Sequence, residues 1–251
     1  MLYTSPINHK YLPATPAECT DLQNKNALIQ LTESSRLKFD KRYLKAGHKG
    51  AFLHFWVRES LAIRLIKIIN KLPNNRGIMV FDTLRNSATS MAIFETIKTN
   101  IALENPELTS VQLEAKTRQF CAHPTDKSHY AVPPHQSGGA IDLALFDTFS
   151  SEVLDYGCDF DDLTQVATTS YFEQESFSKA STDLCSPLNE KRNNVIKENR
   201  RYLFNIMKAH GFVNYSGEWW HYGIGDCIWA KYKNQNQYIY DNIADSHIEI
   251  S

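Results

Sequence analysis

Two short clusters carry residue types that could hold a metal ion. In His135-Gln-Ser-Gly138-Gly-Ala140-Ile-Asp142, an imidazole and a carboxylate, both ligands of zinc, are separated by small residues. Gly138 and Ala140 permit close backbone approach where a bulky side chain would block a metal. In Glu218-Trp-Trp-His221 a carboxylate and a second imidazole stand close together among large aromatics. A set of His135, Asp142 and His221 would leave a tetrahedral zinc with one open position, the mark of a catalytic site, and Glu218 would stay off the metal to handle protons. Taken singly, each residue has a plainer reading: His135 as a loop histidine, Asp142 as a turn or cap residue, Trp219, Trp220 and Tyr222 as core aromatics. The joint occurrence, in this order, favours the metal site. The other histidines, His9 among them, lack a ligand-like context, and His129 is the competitor nearest to His135.

Both helices and strands are needed to bring these clusters together. Apolar residues recur with helical spacing from Phe52 to Leu72 until Pro73 stops the pattern, which predicts a long buried helix. Gly77 to Asp82 reads as a buried strand, Ser90 to about Leu103 as a helix, and a further helix follows Pro106, capped by Thr109 or Ser110. Alternation from Gly139 to Phe146 predicts a half-buried strand carrying Asp142. Asn193 to His210 has a helical stripe with Gly211 at its stop, and Phe212 to Tyr222 is an aromatic-rich strand candidate. On a regular strand Glu218 and His221 would face opposite sides, so the strand must begin at or after Trp219, or carry a bulge. One or two short edge elements are expected after Trp229. Residues 1–50 read as an irregular arm and residues 163–192, rich in Ser, Thr, Gln and Glu, as a long polar loop. Without regular βα alternation the expected fold is α+β: one domain over 1–251, with a mainly antiparallel sheet packed by helices and the metal site in a cleft on the sheet.

Composition narrows the partners. Lys+Arg 27 against Asp+Glu 28, a net charge of -1, leaves no global electrostatic case for nucleic acid or an anionic membrane surface. The longest apolar tract, Leu61 to Ile69, is broken by Arg64 and Lys67 and falls far short of the ~20 residues of a membrane span. No secretory signal is visible in Met1 to Lys10, and five scattered cysteines without a C-x-x-C pair lean towards a reducing compartment, which favours a cytoplasmic location over the alternative, a periplasmic protein whose leader has been trimmed.

H-x-x-G-x-A-x-D followed by E-x-W-H resembles the zinc D,D-peptidases of peptidase family M15, which act on bacterial peptidoglycan fragments. The run from Asn199-Arg-Arg-Tyr-Leu through Gly211-Phe-Val-Asn-Tyr215 to Glu218-Trp-Trp-His-Tyr222 is similar to the carboxy-terminal block of the D-alanyl-D-alanine dipeptidases of the vancomycin-resistance type. The likeness is good from about Phe81 to Tyr222, weak before Phe52 and absent beyond Trp229. It implies one zinc per chain on His135, Asp142 and His221, and hydrolysis of D-Ala-D-Ala or a related dipeptide with Glu218 as general base and acid. It also implies that Arg85, in Phe81-Asp82-Thr-Leu-Arg85, stabilises the oxyanion, and that Asp161, in Gly157-Cys-Asp-Phe-Asp161, binds the substrate's ammonium. The chain departs from the pattern at Pro133, where the family usually has a serine, at Asn86, where it has proline, and in the longer segment from Leu163 to Arg192. The alternatives are a D,D-carboxypeptidase or endopeptidase acting on longer peptidoglycan stem peptides, and a catalytically silent metal-binding recognition module. Retention of Glu218 argues against the silent module.

Overall fold

The computed structural model describes residues 3–121, 123–124, 132–174 and 187–243. The stretch expected to be irregular carries α1 (Pro16–Asn24), β1 (Leu28–Gln30), β2 (Leu37–Phe39) and α2 (Arg42–Lys45). Three-residue strands in a polar stretch are too short to print a periodicity. Thr15 caps α1, its hydroxyl accepting from Glu18 N–H. The helix expected from Phe52 begins only at Glu59, because β3 (Trp56–Arg58) precedes it and pairs antiparallel with β1 as a separate ribbon. Apolar spacing alone did not separate the two elements. α3 (Glu59–Lys71) buries Leu61, Ala62, Leu65 and Ile68 and ends before Pro73.

β4 (Arg76–Asp82) follows, then α4 (Ser87–Glu104) and α5 (Ser110–Phe120). Asn86 is the N-cap of α4, its side chain accepting from Thr89 N–H at 2.8 Å. Thr109 and Gln112 form a reciprocal capping box on α5. β5 (Ala140–Asp147) is buried along nearly its whole length, not on one face only. Ile141, Leu143 and Leu145 enter the main core, while Asp142 is buried beneath the two histidines of the candidate site. α6 (Pro187–Ala209) starts earlier than its apolar stripe, and two short 3-10 turns, Gln165–Ala167 and Tyr171–Glu173, interrupt the polar segment before it. Beyond it lie β6 (Val213–Asn214), β7 (His221–Gly223) and, where edge elements were expected, α7 (Cys227–Tyr232), capped by Asp226.

The main sheet has the order β2-β4-β5-β7-β6. Only the β2–β4 pair is parallel, so the sheet is mainly antiparallel, as expected. Its central register places Asp82, Asp142 and His221 directly opposite one another on three adjacent strands. Val80 faces Leu143 but Asp82 faces Asp142, so an irregularity at Phe81 inserts one extra residue into β4. Such a bulge switches the face presented by the residue that follows. Here it brings Asp82 to the side occupied by Asp142. No helix among the described residues is long and apolar enough to cross a membrane.

Candidate metal centre

His135 lies in a 3-10 turn (Pro134–Ser137) entered through two prolines and closed by Gly138 in the left-handed conformation, φ 72°. Its Nδ1 donates to Thr83 C=O at 2.6 Å, which leaves the Nε2 lone pair facing the sheet. That Nε2 stands 3.2 Å from Asp142 Oδ2 and 3.2 Å from His221 Nδ1, and His221 Nδ1 stands 2.9 Å from Asp142 Oδ1. A tetrahedral ion with ligand bonds of about 2.0–2.2 Å separates its ligands by roughly 3.3–3.6 Å, and one ligand atom from each of the three residues lies within 4.8 Å of the others, a spacing that can admit such an ion. All three residues are at least 95% buried, and they are the one group among the described residues able to hold a metal through three such ligands. Burial opposes the charge of Asp142, but His135 and His221 hold its carboxyl well below the usual range. His129 lies outside the described residues.

The strand carrying His221 begins at His221 itself. Residues 215–220 form a tight reversal, in which Tyr215 N–H donates to His221 C=O and Glu218 N–H to Tyr215 C=O, both at 3.1 Å. Glu218 is thus on a turn, free of strand alternation, and its Oε2 lies 3.9 Å from His221 Nδ1. Burial raises the Glu218 carboxyl, and His221 opposes the shift. It is a carboxylate beside the ligand set and not within it.

Arg85 is mostly buried, not a surface turn residue, and its Nη1 lies 3.2 Å from Asp82 Oδ2. The same oxygen is 3.3 Å from His135 Nδ1, whose proton goes to Thr83 C=O, so Asp82 lies between the arginine and the histidine and is ion-paired with the arginine alone. Tyr43, from α2, accepts from Arg85 Nη1 at 3.4 Å and donates to Asp161 Oδ2 at 2.8 Å. Asp161 adopts φ 64°, an uncommon conformation for a residue with a side chain, and keeps an edge exposed in the cleft. The cleft walls push its carboxyl upward, which the Tyr43 bond partly offsets. Its loop is pinned from α6: the buried Arg200 donates to the carbonyls of Tyr156, Thr168 and Val166. Burial pushes the Arg200 guanidinium down to about 10.

These groups line one cleft of about 400 Å³, with Ile93 and Ile97 of α4, Pro133 and Trp220 supplying apolar wall. His135, Asp142, His221, Glu218, Arg85 and Asp161 all converge on it. Sequence reading passed over Asp82 and Tyr43. Asp82 had a local signal, its spacing from Arg85 in D-x-x-R, whereas Tyr43 comes from a segment remote in sequence and carries none. The arrangement can hold a metal ion, place one uncoordinated carboxylate beside it and present a guanidinium in the same cleft.

Comparison with known proteins identifies the family. A D-alanyl-D-alanine dipeptidase of Synechocystis sp. is 29% identical over 174 residues, 66% of this chain and 67% of that protein. Those of Enterococcus faecium and Enterococcus faecalis are 35% and 30% identical over 92 residues, covering 37% of each chain. The family model for D-Ala-D-Ala dipeptidases matches residues 56–242, which take in β3, the whole sheet apart from β2, and every residue of the His-Asp-His cluster. The chain therefore belongs to the D-Ala-D-Ala dipeptidase family of the M15 peptidases.

Proposed function

We propose that this chain is a zinc peptidase that hydrolyses the peptide bond of D-alanyl-D-alanine or a closely related dipeptide, with one zinc per chain on His135, Asp142 and His221. The observation that carries this reading is the uncoordinated carboxylate of Glu218, 3.9 Å from a cluster whose three ligand atoms lie within 4.8 Å of one another. When bound, the ion supplies Lewis-acid polarisation and an acidified water. Glu218 takes a proton from the attacking water and returns it to the leaving amine, a task suited by its raised carboxyl. Arg85, held by Asp82, donates to the carbonyl oxygen as negative charge develops there. Asp161 meets the substrate ammonium, whose desolvation is costly without an acidic partner.

The test is zinc content together with turnover of D-Ala-D-Ala, its N-acetyl form and a stem pentapeptide. One zinc per chain, turnover of the free dipeptide and a markedly poorer N-acetyl substrate are expected, and Asp161→Asn should narrow that difference. His221→Ala with full zinc occupancy would refute the ligand assignment. The cleft of about 400 Å³ favours a second reading, a D,D-carboxypeptidase or endopeptidase acting on longer peptides. Preference for the blocked or longer substrate would select it and leave the zinc hydrolase reading intact.

A further inference from the structure

The turn between Glu218 and His221 is held by one buried side chain. Asn214, 1% exposed at the end of β6, donates through Nδ2 to Glu218 C=O and to His221 C=O, both at 3.0 Å. Both partners are acceptors, so the amide orientation is settled and Oδ1 points the other way. There it accepts from Thr169 Oγ1 at 2.8 Å and lies 2.9 Å from His9 Nε2. The Thr169 hydroxyl has a single proton and a second acceptor, Tyr215 C=O, at 3.2 Å. His9 is therefore the donor that Asn214 does not share.

The amino-terminal segment is fastened on both sides of this contact. Lys208 of α6 donates to Asn8 C=O at 2.5 Å and to Lys10 C=O at 2.8 Å. Asn205 donates to Ser5 C=O at 2.8 Å, and Tyr11 Oη accepts from Asn214 N–H at 3.1 Å. The His9 ring lies edge-on to Phe204, their centroids 5.0 Å apart. Burial lowers the His9 imidazole, which favours its neutral form and makes the Nε2–H tautomer the one that can donate to Asn214.

We propose that His9 is a positioning residue for the metal centre: through Asn214 it fixes the carbonyls at both ends of the 218–221 turn, and with them Glu218 and His221. The role rests on the reading of those two residues given above. It makes the amino-terminal segment part of the hydrolytic apparatus. The test compares His9→Ala with His9→Gln, whose amide can donate to the same Oδ1. In His9→Ala, kcat and zinc affinity, measured by competition with a chelator, are each expected to fall about 10-fold, with KM within about twofold and the melting temperature little changed. His9→Gln should recover most of both losses. Wild-type kcat and zinc affinity in His9→Ala, or no recovery in His9→Gln, overturns the proposal. A readout independent of variant folding is the proton–nitrogen NMR correlation of the wild-type histidines: His9 protonated at Nε2 is expected, and a neutral His9 protonated at Nδ1 overturns the role. A wild-type protein that binds zinc but turns over no dipeptide refutes the proposed substrate, and zinc affinity then decides on His9 alone.

Discussion

Asp142 and Glu218 share one cleft, and their neighbours drive them in opposite directions. Two imidazoles hold the Asp142 carboxyl low and charged, as the proposed ligand role requires, while burial raises the Glu218 carboxyl, as the proposed proton-carrying role requires. Replacing Glu218 by Gln preserves shape and leaves the ligand set intact, so zinc content should be unchanged and kcat should fall by about 10² to 10⁴, measured by steady-state kinetics beside metal analysis. Near-normal turnover would make Glu218 a structural residue. Arg85→Ala should lower kcat by about 10² to 10³ with little rise in KM, since a donor to a developing oxyanion acts mainly in the transition state. A change confined to KM would instead identify Arg85 as a clamp for the substrate carboxylate. Asp82 pairs with Arg85 and lies against His135, so Asp82→Asn is expected to lower kcat through Arg85 and to alter zinc affinity by removing a buried charge beside His135.

At the scale of elements, the centre depends on three local departures from regular structure. The bulge at Phe81 turns Asp82 towards Asp142, the 215–220 reversal frees Glu218 from strand alternation, and the 3-10 turn at Pro134–Ser137 aims His135. Gly138 closes that last turn at φ 72°, and an added Cβ would approach Ile243 Cδ1 to 3.0 Å. Gly138→Ala should therefore destabilise the fold by about 1–2 kcal/mol. Its melting temperature should drop by roughly 2–8 °C. Because the same turn carries His135, a proposed ligand, zinc affinity should weaken in parallel, and unchanged melting and zinc binding would show that the turn tolerates a side chain.

For the whole molecule, the proposed ligands come from a turn, a central strand and a neighbouring strand, and could hold an ion together only in the folded chain. Metal binding is then linked to folding. At free zinc about 100 times the dissociation constant, the linkage is worth about 2.7 kcal/mol. For a chain of this size that corresponds to a rise in melting temperature of roughly 5–10 °C, removable by a chelator and absent from a His135→Ala, His221→Ala double variant. A zinc-independent melting temperature would mean that the cluster does not bind the ion in the folded state.

Small residues between His135 and Asp142, and aromatics around Glu218 and His221, made the proposed ligands and base stand out in the sequence, because ligand chemistry restricts residue type and spacing locally, and the fold brings the three candidate ligands into one cluster. α3 and the apolar stripe of α6 were legible from periodicity, since burial writes a repeat into elements of ten or more residues, α5 from its cap after Pro106, and the α+β class from the lack of regular βα alternation. Contacts between distant segments leave no such trace. The three-residue strands of the first 58 residues, the bulge that aligns Asp82, Tyr43 between Arg85 and Asp161, and His9 against Asn214 depend on pairing across tens to hundreds of positions. One residue type at one position does not encode such a partner, and only tertiary packing decided which side chains meet.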